Sequence, residues 1–409
     1  MVNLNIIAAA PLVVAAVAQP LFAETQLSAL FMTHAAYDES AVRAMTEGFT
    51  AASPGITVKL DFVPYEDLHD RTLLSHASDT GYDVVLFDVI WPAEYAEMNV
   101  LLDVSDRITQ PMRDGILPGA WTTVDYNGRA YGLPWMLDTK YLYYNKQILS
   151  RAGIDAPPAT WEELARQARI IADMGLLEHP IVWSWAQAEA LICDYATLVS
   201  AFGGSFVKDG GLTFRSDGGL AALSYMVDSY TSGLTNPDST GFLEEDARRL
   251  FQNGEAAFTL NWTYMYQLAN DHNESRVAGR VGIAPAPGSD GRSTVSAVNG
   301  SMGLGIPSNS RHPQEAWDYI LFLTSQQQQN AHARLSLPIW ASSYADPAVT
   351  AGQGELIAAA RVALAAMFPR PATPRYQEMS AALQAAIRDA LLGQASPEAA
   401  MTSAAGNGN

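Results

Sequence analysis

From Leu27 to Asp88 the chain alternates strand, helix, strand, helix, strand, and this order restricts the fold more than any other feature. Leu27 to Thr33 is an apolar run suited to a strand, and Glu39 to Ala52 carries Val42, Met45 and Phe49 at near-helical spacing. Ser53-Pro54-Gly55 stops that helix, Ile56 to Val63 alternates as a second strand, and Tyr65 to Ala77 reads as a second helix. Tyr82 to Asp88 then has the composition of a parallel strand buried on both faces. Such an order gives an α/β domain with right-handed crossovers. Ligands in these domains lie at the carboxyl ends of the strands, which sets His34 and Tyr37, after the first strand, beside Asp88, after the third.

Downstream, Tyr126-Asn127-Gly128-Arg129 is a hairpin turn leading into Tyr131 to Arg151. There a Gly-Leu-Pro turn precedes Trp135, Asp138 and the strand-like run Tyr141-Leu142-Tyr143-Tyr144. Aromatic faces with one carboxylate suit a polyhydroxylated ligand, rings meeting C–H surfaces and oxygens meeting hydroxyls. The following stretch is mostly helical, with helices near Gln187 to Phe202, Gly218 to Ser232 and Leu243 to Asn253, before a strand from Gly254 to Trp262. Asn299 to Pro307 is a glycine-spaced extended segment suited to crossing between domains, and Tyr376 to Leu392 is a late helix.

At 409 residues the chain is long for one domain, so two lobes are expected. With 24 basic against 43 acidic residues, a net charge of −19 argues against nucleic acid or an anionic membrane surface as partner. Ile6 to Val17 followed by Ala23 reads as a secretory signal over residues 1–23, although the first basic residue is Arg43 and the usual positive leader is missing. A buried N-terminal helix is the alternative. Pro11 and Pro20 break the stretch, which is short for a spanning helix, and no later segment fits one. Cys193 is the single cysteine, so no intramolecular disulfide forms and no lipid anchor follows residue 23; a non-lipidated periplasmic protein is expected, with Cys193 inert in the core. Seven scattered histidines offer no metal spacing, and no cofactor motif is present. Asp88 and Asp138 could serve a glycoside-cleaving enzyme only at a fixed separation across the scissile bond, which the sequence does not give. With no nucleophile elbow or zinc motif either, the chain reads as a binding protein rather than an enzyme.

Five segments in order, 87–106, 131–149, 254–266, 299–307 and 368–401, make nearly the whole chain resemble solute-binding protein family 1, the receptors of ABC sugar importers, and within it the trehalose/maltose type. The resemblance implies a two-lobed periplasmic binding protein fold whose hinge-connected lobes close on a carbohydrate. The closed form is implied to act as a monomer that delivers its ligand to a membrane permease. It implies one lobe of residues 24–133 with about 303–357, and a second of 134–302 with about 358–409. By position, Asp88 in FDVIWP and Asp138 in WMLDT match carboxylates that accept sugar hydroxyls, Trp262 in LNWTY matches an aromatic platform, and Arg370 in FPRPATP matches an arginine that reaches the sugar. Gly300 and Ser301 occupy a turn where the family often carries tryptophan, which removes one stacking surface and leaves open a polyol, a glycosyl-glycerol or an anionic sugar. Trp91, Trp135, His34, Tyr37 and Glu189 are further candidates for the cleft wall, each with an ordinary core role as the alternative.

Overall fold

The computed structural model describes residues 25–33, 36–78, 81–208, 211–213 and 216–407, so the expected signal segment and His34 lie outside the described residues. Its frame is two five-stranded sheets. In the first, Thr25–Met32 pairs in parallel with Ile56–Val63 on one side and Val84–Asp88 on the other; Met302–Gly305 and then Leu133–Met136 extend it antiparallel. The helices Glu39–Ala52 and Tyr65–Ala77 form where periodicity places them. Asp38 caps the first by accepting from the Ala41 amide at 2.8 Å, and Ser53 ends it.

The second sheet runs Ser293–Ser296, Val281–Ser289, Tyr141–Asn145, Phe258–Asn261 and Ile181–Val182. The aromatic run at 141–144 is thus a central strand whose Tyr141 and Tyr143 are fully buried. Helix Glu189–Ala201, buried along most of its length, packs on this sheet with Tyr376–Leu391 beside it. Among the described residues no helix is long and apolar enough to cross a membrane.

The chain passes between the sheets at 137–140 and returns at 297–301. Neither ladder covers these backbones, and each crossing satisfies the other's polar groups. The Gly300 amide donates to the Asp138 carbonyl at 3.1 Å, the Asp138 amide to Ser301 Oγ at 3.2 Å, and the Val298 amide to Thr139 Oγ1 at 3.1 Å. A third strip lies alongside, where the Phe368 carbonyl accepts from the Asn299 amide at 2.9 Å. Leu133–Met136 belongs to the first sheet, so the first passage falls a few residues beyond the boundary read at 133/134. Helix Gly354–Ala363 buries Leu356, Ile357 and Ala360 with Val281 and Ile283 of the second sheet, so the final return precedes residue 357.

Candidate functional site

Between the sheets lies a cavity of about 310 Å³. Asp88, Asp138, Glu189, Trp262 and Gly300 all line it, although they are scattered over more than half of the sequence. Asp88 ends the central strand of the first sheet. Its Oδ1 accepts from the Ile90 amide at 3.2 Å and its Oδ2 from the Tyr65 hydroxyl at 3.0 Å. Glu189 is the first residue of its helix, a position that favours a carboxylate. It accepts from Ser380 Oγ at 2.6 Å and from the Tyr376 hydroxyl, while burial holds its carboxyl above the ordinary range against the pull of Arg370 and these donors.

Asp138 sits on the first crossing with its side chain buried. The Thr139 amide donates to its Oδ1 at 2.8 Å, and Thr263 adds its hydroxyl and its amide. Burial pushes the Asp138 carboxyl up to about 7 in spite of these donors. Because the folded value exceeds the unfolded one, this carboxyl favours folding most below about pH 4, and that contribution is lost as pH rises to about 7. Asp138→Asn can accept the same bonds without a charge. Its stability relative to wild type is therefore expected to climb between about pH 4 and 7, by up to roughly 4 kcal/mol, and then level off. Thermal unfolding across that range tests this; an offset that ignores pH would show that the carboxyl does not titrate there.

Trp262 follows the strand Phe258–Asn261 and is held edge-on by Glu244, whose Oε1 accepts from the indole Nε1 at 3.2 Å. Its ring covers Gly300 so closely that a Cβ there would fall 2.2 Å from the indole. Behind the ring, 5.2 Å from its centroid, stands the Lys140 ammonium, fully buried and paired with Asp194 at 2.6 Å and Glu244 at 3.5 Å. Burial works against this charge, but the two carboxylates outweigh it and hold the ammonium protonated. Tyr65 and Tyr264 join Trp262 in the lining and add aromatic surface that Ser301 lacks.

Five expectations are corrected. Trp91 and Trp135, each about 1% exposed, are core: Trp91 stacks on Tyr65 and lies against Tyr95, and Trp135 packs between Phe31 and Tyr37. Tyr37 is core for the same reason. Ser301 is fully buried and joins the two crossings, so it serves the hinge and not the lining. Arg370 also does not reach the cavity as expected. Its side chain is 1% exposed, donating Nη2 to Asp88 and Nη1 to Glu189, both at 2.7 Å, and Nε to the Asn299 carbonyl at 3.2 Å. Lys140, Tyr65, Thr263 and Glu244 escaped sequence reasoning. One signal was present: a lysine immediately ahead of an apolar, aromatic strand implies a buried partner.

Residues 34–330 match the family model of the bacterial extracellular solute-binding proteins. The chain belongs to this family. A relative from Deinococcus radiodurans named "Probable ABC transporter-binding protein" is 30% identical over 370 residues, 86% of each chain. The arabinooligosaccharide-binding protein of Bacillus subtilis is 24% identical over 75% of this chain and 71% of its own. Among solved structures, maltose-bound MalE3 of T. maritima superposes with a TM-score of 0.87 at 32% identity, covering 94% of this chain and 99% of that one. The two sheets described above are thus the two lobes of a solute-binding protein, and the cavity lies where such lobes meet.

Proposed function

We propose that this solute-binding protein is the periplasmic receptor of an ABC importer for a neutral carbohydrate, a di- or oligosaccharide or glucoside. In this reading it is exported without its first 23 residues, works as a monomer without a cofactor, and hands its ligand to a membrane permease. The observation that carries the reading is the interlobe cavity with the Trp262 face between carboxylates of both lobes. Ring faces take the C–H surfaces of a sugar and the carboxylates accept its hydroxyls. The relatives named for maltose and arabinooligosaccharides support the same ligand class.

Charge separates the neutral ligand from the anionic alternative. Among the described residues, seven carboxylates line the cavity against one cation, Arg249, and that guanidinium is paired with Asp246 at 2.6 Å. The two buried cations behind the wall, Lys140 and Arg370, each have two carboxylates already. A carboxylate on the sugar would face repulsion from this acidic lining, with its one lining guanidinium already paired to Asp246. Calorimetry against a panel of neutral sugars, polyols and uronic acids is the test. Saturable binding of a neutral sugar recovered intact is expected, with the matching uronide at least about tenfold weaker. Preferred uronide binding would reverse the ligand class, and released monosaccharide would make the chain an enzyme.

A further inference from the structure

We propose that Arg370 is a positioning residue for ligand capture: without touching the ligand, it holds Asp88 of one lobe and Glu189 of the other as opposed acceptors on the cavity wall. The acceptor pair is then assembled only when the lobes are together. For its ligand the proposal rests on the receptor reading above; the network itself does not depend on it.

The geometry leaves the guanidinium little to offer a sugar. Each of its three nitrogens already donates, on three sides, to Asp88, Glu189 and the Asn299 carbonyl. The side chain is 1% exposed, while both of its carboxylate partners line the cavity. Asp88 lies at the end of the first sheet and Glu189 at the start of a helix packed on the second, so one guanidinium bridges the lobes beside the crossing at Asn299. Neutral donors steady each carboxylate from its own lobe: Tyr65 for Asp88, and Tyr376 and Ser380 for Glu189. The titratable groups facing Arg370 are Asp88, Glu189, Tyr376 and Cys193, with Tyr65 behind Asp88. Burial opposes the charge on Arg370, yet these partners keep it protonated well above its ordinary value. A planar fork can serve two carboxylates and a carbonyl at once, which an ammonium cannot do with the same geometry. Pro369 and Pro371 restrict the backbone on either side and aim the side chain inward.

The test is a double-mutant cycle read by calorimetry, with the neutral sugar that the wild-type chain binds. Arg370→Met is expected to lose at least about tenfold in affinity in the wild-type background, and less than about threefold in an Asp88→Asn/Glu189→Gln background, where no carboxylates remain to be positioned. An equal loss in both backgrounds overturns the proposal, because it would mean that the guanidinium binds the sugar itself. Arg370→Lys, which keeps the charge, serves if the methionine variant does not fold; its loss should shrink in the amide background in the same way. A readout without ligand accompanies the cycle. Removing the cation leaves two enclosed carboxylates, so the melting temperature of Arg370→Met should fall further below wild type as pH rises from about 5 to about 8. The amide background should abolish that widening; a gap that ignores pH contradicts the proposal. A wild-type chain that binds no sugar would sink the receptor reading alone, and the ligand-free comparison would then decide the role of Arg370.

Discussion

Lys140→Met is expected to lower the unfolding free energy by about 3–5 kcal/mol, the typical cost of stranding one partner of a buried ion pair. The ammonium is fully buried and donates to Asp194, to Ser184 Oγ at 3.1 Å and to the Ala190 carbonyl at 3.3 Å. Methionine matches the stem in length but leaves Asp194, itself fully buried, with only Ser184 as a side-chain donor. Burial already lifts the Asp194 carboxyl to about 6 with the lysine in place. Without the lysine it rises further, so the folded state binds a proton more tightly than the unfolded one. The deficit of Lys140→Met is therefore smallest in acid and grows as pH rises through that value. Urea denaturation from about pH 5 to 8 measures it. Lys140→Met/Asp194→Asn should recover much of the loss, since a neutral amide is cheaper to enclose than a carboxylate. A single-variant deficit below about 1 kcal/mol would show that the pair adds little to stability. The same lysine pairs with Glu244, which fixes the Trp262 indole, so sugar affinity should drop together with stability.

How far the molecule can be read from its sequence depends on the range of the interactions involved. The three parallel strands and two helices of residues 25–88 form close to where periodicity places them, because their apolar faces and turn residues are local signals. The extended segment at 299–307 is recognisable from its glycine spacing, and strand 302–305 within it joins the first sheet. The site is legible only in part. Asp88 and Asp138 follow strand ends, where ligand-facing groups sit, and both line the cavity. Trp91 and Tyr37, just after strands, and Trp135, near the end of one, occupy comparable sequence positions and lie in the core, since an aromatic there can turn either way and only the packing of distant elements decides. Arg370 has the composition of a ligand-reaching arginine, but its role is set by Asp88 and Glu189, which stand 282 and 181 residues away in sequence. No local pattern encodes that convergence. Lys140 is hidden for the same reason: its partners Asp194 and Glu244 come from two helices that carry no sequence mark of meeting it.

Gly300→Ala is expected to weaken sugar binding by about tenfold or more through sterics alone, because a single methyl group must displace the aromatic platform. An added Cβ would lie 2.2 and 2.3 Å from two atoms of the Trp262 ring, far inside van der Waals contact. The backbone cannot retreat easily: the Gly300 amide is bonded to the Asp138 carbonyl, and Asn299 is tied to Phe368 on the other side. The ring therefore has to swing, breaking its hydrogen bond to Glu244 and leaving its place over Lys140. Overpacking of this kind costs about 1–3 kcal/mol in stability, and the displaced indole no longer offers its face to the ligand. Trp262→Ala alone should cost more than about 1 kcal/mol of binding, since it removes the platform itself. In the Gly300→Ala/Trp262→Ala double variant the clash has no target, so its affinity should match that of Trp262→Ala within about 0.5 kcal/mol. Calorimetry gives the three affinities, and indole fluorescence of Gly300→Ala should report the altered surroundings of the ring. If the alanine at 300 cost as much affinity without the tryptophan as with it, the glycine would matter for the crossing backbone, and the contact between Gly300 and Trp262 would not be what shapes the site.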